Sequence, residues 1–333
     1  MKPKPYFVDS AAGLRVCGYA VLISIASACL AQQTQPDYPN KAIRIIVPYA
    51  PGGSTTFTSR LVGQRLTEAW GQQVIIDNRP GANTIIGTHL AVKATPDGYT
   101  LLYIGSALPG NHTLTKTPYD ALKDIAPVAT VSSYENLLVV TLSLPASNLK
   151  EFIALAKAKP GQLNFASSSA GGSTHLAPEL LNNIAGIKTQ HVPYKGGGPA
   201  VTDVIGGQVQ FMMSPPINVV GQIKNGRLRA IAISGSSRIA ALPQVPTFTE
   251  AGLPGVELTS WQGIGAPTGV PKAILDKVAA EISTLLAAPG TKDKLEVQGF
   301  SPFFNNPEQT AKLLRADVIK YAKIIKDANI TSQ

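Results

Sequence analysis

The chain has 333 residues, 44% hydrophobic and 15% charged, with 30 glycines and 26 prolines. That length fits two domains or one large one, and the apolar content excludes disordered, fibrous and coiled-coil classes. The formal net charge is +9, yet the 29 Lys and Arg are scattered, aromatics make up 6%, and no basic run occurs, so nucleic acid is not an expected partner. A mild preference for anionic small molecules is all that the charge implies.

Lys2, Lys4 and Arg15 against Asp9 make the N-terminus positive, and an apolar stretch from Val16 to Leu30 ends in Ala26, Ser27, Ala28, Cys29 and Ala31. A positive start, a short apolar core and small residues at its end predict a secretory signal peptide over residues 1–31. The apolar run is shorter than the roughly 20 residues of a membrane span. Cleavage is expected after Ala28 or Ala31. A lipoprotein junction at Cys29 is disfavoured, because Ala26 stands where a large aliphatic residue is usual. Removal takes away three positive charges and one negative, lowering the net charge from +9 to +7. Both cysteines, Cys17 and Cys29, lie in this segment. A chain cleaved after Ala31 therefore has no thiol nucleophile, disulfide or cysteine metal site. An exported, soluble globular protein is expected.

Beyond a polar tether at 32–40, Ala42 to Val47 is a β-branched run stopped by Pro48 and the Pro51-Gly52-Gly53-Ser54 turn. A helical stretch follows with Phe57, Leu61, Val62, Leu66 and Ala69 on one face. Strand Val74–Asp77, the turn Asn78-Arg79-Pro80-Gly81, a helix from about Thr84 to Lys93 and strand Thr100–Ile104 continue an α/β grammar with parallel strands. The middle repeats it: helix Leu149–Ala156, strand Leu163–Ala166, a helix with Leu176, Leu180, Leu181 and Ile184 on one face, and strands Gln190–Val192, Val209–Met213 and Leu228–Ile233. Gly- and Pro-rich turns are expected at Pro193–Pro199 and Ser214–Pro216, and a long connection at Leu242–Pro254. Strand Thr259–Ala266 leads to two amphipathic helices, around Leu275–Leu286 and Leu314–Ile325. The expected architecture is two α/β lobes, residues 38–142 with 259–333 and residues 143–258. The chain changes lobe near Val139–Leu144 and Glu257–Trp261, and the tail packs back on the first lobe.

Two Gly/Ser loops stand between a strand and a helix. Pro51-Gly52-Gly53-Ser54-Thr55-Thr56 is one, and Ser168-Ser169-Ala170-Gly171-Gly172-Ser173-Thr174-His175 is the other. Glycines allow a ligand close to the backbone, and the helix N-terminus behind them offers free N–H groups and partial positive charge, so the pair reads as facing anion cradles. Ordinary βα turns with Ser or Thr caps would look the same. Pro178 should tighten or bend the second helix. Nucleotide-loop spacings are absent. A hydrolase would need Ser169 or Ser173 as nucleophile and His175 or His191 as base, but the elbow motif G-x-S-x-G is missing. The histidines at 89, 112, 175 and 191 have no metal-ligand spacing, and no cofactor fingerprint occurs, so neither metal nor cofactor is expected. Tyr194-Lys195-Gly196-Gly197-Gly198-Pro199 could place a cation near the cleft, its default reading being a flexible turn.

Pro48-Tyr49-Ala50-Pro51-Gly52-Gly53-Ser54-Thr55, Asn78-Arg79-Pro80-Gly81-Ala82, Pro96-Asp97-Gly98-Tyr99-Thr100-Leu101 and His191-Val192-Pro193-Tyr194-Lys195-Gly196-Gly197-Gly198-Pro199-Ala200 recur together in one protein type, with Gly206-Gly207-Gln208-Val209 and Leu242-Pro243-Gln244-Val245-Pro246-Thr247. In order and spacing the chain resembles the extracytoplasmic solute receptors of tripartite tricarboxylate transporters, the Bug-type receptors, from about Tyr38 to Ala328. The resemblance implies a two-lobed periplasmic binding protein of the Venus-flytrap type, without catalysis, that closes on a small carboxylate and delivers it to a membrane permease. It implies a ligand site of Tyr49, Pro51 to Thr56, Ser106, Ala107, Ser168 to His175 and Ser214, and a monomer. Many relatives carry Asp where this chain has Thr56 and Ser214. The loss of both charges disfavours a ligand ammonium and points to a non-amino carboxylate, an aromatic mono- or dicarboxylate ahead of an aliphatic one.

Overall fold

Two mixed sheets flanked by helices organise the computed structural model, which describes residues 1–4 and 38–331. The cleavage region and both cysteines lie outside these residues. In the first sheet β1 (Ile43–Val47) pairs in parallel with β2 (Val74–Asn78) and β3 (Thr100–Gly105). The long strand β10 (Thr259–Pro267) runs antiparallel between β3 and β4 (Ile125–Glu135), and β11 (Ser301–Pro302) closes the edge. In the second sheet β6 (Asn164–Ser167) lies parallel between β7 (Gln190–Pro193) and β8 (Phe211–Ser214). There β5 (Leu137–Thr141) runs antiparallel between β8 and β9 (Leu228–Ile233). Parallel strands joined through helices bury both faces, which is why β1, β3 and β8 are nearly continuous apolar runs; β5, antiparallel to both neighbours, is buried along its whole length as well.

The chain passes between sheets through one residue, Asn136, and returns between Ser234 and Thr259. The two crossings are tied together: Asn136 N–H donates to Ser234 Oγ at 2.9 Å, Ser234 N–H to Asn136 O at 2.9 Å, and Leu258 N–H to Ser234 O at 3.1 Å. Residues 137–141 therefore pair in the second sheet, whereas the sequence reading kept them in the first lobe. Their Leu-Leu-Val-Val-Thr run follows β4 after Asn136 alone, with no Gly or Pro to mark the change.

Helix α1 (Ser54–Trp70) follows the Gly53 turn and stops at Gly71, whose left-handed backbone closes the last turn. Its face toward the sheet is largely hydroxylated: Ser54, Thr56, Thr58 and Ser59 are buried with Val62, Gly63 and Leu66. Phe57 and Leu61, expected on the core face, pack sideways against Phe300 and Leu295 of the tail. Helix α2 (Ile85–Val92) follows β2, and α3 (Ala107–Leu114) follows β3 despite containing Pro109 and Gly110. On the second sheet lie α4 (Leu149–Ala158), α5 (Ser173–Ala185), α6 (Gly197–Ile205) and α7 (Pro216–Lys224). Helix α5 continues through Pro178. Helices α6 and α7 occupy segments whose Gly and Pro read as turns; buried Ala200, Val201, Val204 and Val219 hold them to the sheet.

Helices α8 (Lys272–Ala287) and α9 (Thr291–Val297) lead to α10 (Pro307–Asp327), which opens with an Asn306–Gln309 capping box. Leu314 of α10 joins the core of the first sheet, and Tyr321 and Ile325 join that of the second. The tail thus spans both cores, a correction to its expected place on the first lobe alone: the apolar face of α10 is longer than the first core can cover. Between these points Trp261 Nε1 donates to Asp317 Oδ2 at 2.6 Å in a buried contact.

Candidate functional site

Tyr49, at the end of β1, is buried, stands edge-on to Tyr103 with ring centres 5.8 Å apart, and shares a hydrogen bond with Ser169. Burial holds the hydroxyls of Tyr49 and Tyr103 well above the usual phenol value and raises that of Tyr134, so all three stay protonated and able to donate. Tyr134 OH lies 3.3 Å from Ser173 Oγ. Ser173 N–H donates to Ser106 Oγ at 3.1 Å, and the Ser106 and Ser173 hydroxyls are 3.4 Å apart. A seam of hydroxyls from both sheets therefore closes over Ser173, which is 1% exposed.

The second Gly/Ser loop is held in shape by its own helix. Thr174 Oγ1 accepts from Ser168 N–H at 3.0 Å, and His175 Nδ1 accepts from Gly171 N–H at 3.0 Å. Accepting leaves the His175 proton on Nε2, which faces Glu179 Oε1 at 3.7 Å. The His175 ring stacks on His191 with centres 3.7 Å apart, and Phe165 lies beside the pair, 5.0 Å from His191 and 6.0 Å from His175.

Beside this stack opens a cavity of about 420 Å³, lined by Pro48, Tyr49, Gly81, Ala82, Asn83, Thr84, Ile85, Leu114, Thr115, Ser168, Ser169, Ala170, His175, His191, Pro193, Tyr194, Lys195 and Thr331. That is within the range of small-ligand sites. Its wall is mainly apolar and aromatic. Lys195 is its one formal charge, and no Asp or Glu is among the lining residues. The 81–84 turn is strained: Gly81, Ala82, Asn83 and Thr84 have φ of 133°, 42°, 54° and 72°. Strain of this kind in non-glycine residues gathers at ligand sites. Asn83 Nδ2 donates to Ala170 O of the second loop at 3.0 Å, and Asn111 Nδ2 to Asn83 O at 2.7 Å, which holds the turn.

Of the residues expected at the site, Tyr49, Ser168, Ser169, Ala170 and His175 line this cavity. The others lie elsewhere. Gly171 packs backbone to backbone on Gly110, and Gly172 stands over Ser106 and Ala107. Thr56 is 3% exposed, and its Oγ1 accepts from Asn78 Nδ2 at 3.3 Å. Ser214 is 0% exposed and accepts from Asn218 Nδ2 at 3.3 Å. In the first loop Gly53 meets Gly197 and Asn218, and just before it Ala50 N–H donates to Lys195 O at 2.8 Å. The charge argument built on Thr56 and Ser214 thus passes to the lining itself. Lys195 stands where the sequence allowed a cation near the cleft, and His191 is the ring it offered as a hydrolase base; the turn at 81–84 was legible only as the end of one motif and a helix start.

A Ser–His hydrogen bond exists, though not between the residues expected of a hydrolase. Ser167 Oγ and His191 Nε2 are 2.6 Å apart. Ser167 is 0% exposed and donates its own proton to Ser169 O at 3.1 Å, so His191 donates to Ser167 rather than activating it. Burial first, and then His175, push His191 from 6.5 down to about 3. The unfolded chain therefore binds the extra proton between those values. The stability that depends on neutral His191 is complete above about 6.5 and is lost as pH falls toward about 3. Replacing His191 with Gln should flatten this limb, by up to ~1.4 kcal/mol per pH unit. Denaturant melts of both proteins through that range check it; parallel curves would refute it.

The model of the tripartite tricarboxylate transporter family receptor (TctC) matches residues 58–330. The chain belongs to that family. BugT of Bordetella pertussis is 35% identical over 309 residues, covering 92% of this chain and 95% of the relative. A solved Rhodopseudomonas palustris protein with adipate is 30% identical, with a TM-score of 0.86 over 89% of this chain and 100% of that one. MatC from the same organism, with bound malate, is 29% identical, with a TM-score of 0.81 over 86% and 100%. The fold of this receptor is the two-lobed α/β fold of periplasmic binding proteins. It is a solute-binding protein rather than an enzyme.

Proposed function

We propose that the protein is a periplasmic receptor that captures a carboxylate with an apolar body, closes on it, and delivers it as a monomer to the permease of a tripartite tricarboxylate transporter. The observation that carries this reading is the cavity lining: hydrogen-bond donors and one lysine against an apolar, aromatic wall, with no acidic lining residue. A carboxylate meets no like charge there, while an α-ammonium meets no counter-charge. The 81–84 turn and the backbone of Ser169 and Ala170 are the proposed carboxylate cradle. Ile85, Leu114, Pro193 and the stacked imidazoles are the proposed seat for a hydrocarbon or aromatic ring. Adipate and malate in the two neighbouring structures support the carboxylate class. The moving bodies would be residues 41–136 with much of the tail, and residues 137–258, rotating about Asn136 and Ser234–Leu258. Export on a signal peptide cleaved after Ala28 or Ala31 completes the reading.

A thermal-shift panel of aliphatic and aromatic mono-, di- and tricarboxylates, each with its α-amino counterpart where one exists, tests it. At least one non-amino carboxylate should raise the melting temperature in proportion to the logarithm of its concentration, and should exceed its amino counterpart. A panel with no stabiliser, or one led by amino acids, would overturn the assignment.

A further inference from the structure

Helix α1 has no side-chain cap of its own, because its N-cap position is Gly53. The cap comes from a residue 164 positions away. Ser54 N–H donates to Asn218 Oδ1 at 3.1 Å. The carboxamide is oriented by its other end, since Asn218 Nδ2 donates to Ser214 Oγ at 3.3 Å, at the end of β8 just before α7 begins. Space for it is set by a second glycine: a Cβ on Gly197, at the start of α6, would stand 2.5 Å from Asn218 Nδ2. Asn218 belongs to the second sheet's side and α1 to the first, so this contact exists when the two sides meet.

We infer that Asn218 is a positioning residue for closure: its amide oxygen caps α1 from across the cleft and raises the minor closed fraction that exists before any ligand arrives. An acceptor at a helix N-terminus satisfies a backbone donor and meets the positive end of the helix dipole, and both contributions vanish when the lobes part. This goes beyond the ligand assignment, because the latch works on a surface that does not line the cavity. The inference does rest on the proposed closing motion.

The test needs no ligand. Residues from 30 onward contain no cysteine, so Arg60→Cys on α1 and Lys224→Cys on α7 give a clean pair of exposed labelling positions for energy transfer across the cleft. In the ligand-free protein Asn218→Ala should lower the closed-to-open ratio by about fivefold. Asn218→Asp should restore it, with a restoration that weakens at high salt and as pH falls through the carboxylate range. An unchanged ratio in Asn218→Ala overturns the inference, and so does a loss that Asp does not repair, since that marks a residue needed only for the shape of α7. The carboxylate panel reads the ligand assignment separately, so either result can fail without the other.

Discussion

Replacing Gly110 with valine should weaken ligand binding on the order of 100-fold while leaving the ligand-free protein about as stable as before. A Cβ at this position would stand 1.9 Å from Gly171 O and 2.5 Å from Gly171 C. Neither neighbour can yield. Gly110 sits inside α3, and Gly171 holds a left-handed φ of 69° in the loop that supplies Ser169 and Ala170. The clash exists only when the lobes meet, so opening relieves it. An overpacking cost of about 3 kcal/mol laid on the closed form alone reduces its population, and the apparent affinity with it, by about two orders of magnitude. Calorimetric titration with a ligand from the panel, beside a melt of the free protein, checks both halves. Unchanged affinity would mean that ligand is held without this approach of the lobes. A large drop in the melting temperature of the free protein would mean that the lobes are already closed in it.

The largest loss of stability is expected at Phe211. It is 0% exposed at the centre of the second core, edge-on to Phe152 at 5.0 Å and tilted against Phe165 at 5.6 Å. Truncation to alanine removes a ring from a site bounded by a sheet strand on one side and helices on the other, where little can relax into the space. A cost of about 3–5 kcal/mol follows, a large part of the stability of an ordinary domain. Denaturant unfolding should show a lower midpoint, and a loss below about 1 kcal/mol would show that the core repacks. Phe165 also flanks His191, so the cavity wall should loosen with it.

The elements legible in the sequence were those in which local pattern and tertiary demand agree. The β-branched run of β1, the strand-length apolar run of β9 and the period of α8 and α10 are of this kind. The Pro127-containing strand β4 and helices α6 and α7, which begin at Gly and Pro, are set by packing against a sheet; their local preferences point elsewhere. The site divides the same way. Ser168 to His175 were visible, because only glycine and small hydroxyl residues suit a loop that turns sharply into a helix. Left-handed Ala82 and Thr84 were not, since both residue types avoid that conformation unless their surroundings impose it. The meeting of His175 and His191 depends on β6 and β7 lying side by side, with Ala166 opposite Val192, a register that spacing alone does not disclose.

A helix rooted in two cores behaves as a lever. Helix α10 is fixed to the first sheet by Leu314 and by the Trp261–Asp317 bond, and to the second by Tyr321 and Ile325. Any swing of the lobes must therefore be absorbed in the single turn between Asp317 and Tyr321, by bending there or by sliding at one root. On the proposed closing motion, the segment after Tyr321 would travel with the second lobe although the chain left that lobe's sheet some ninety residues earlier, at Ile233. A probe attached near Ala328 would consequently follow the second lobe, and stiffening that one turn would brake opening and closing together.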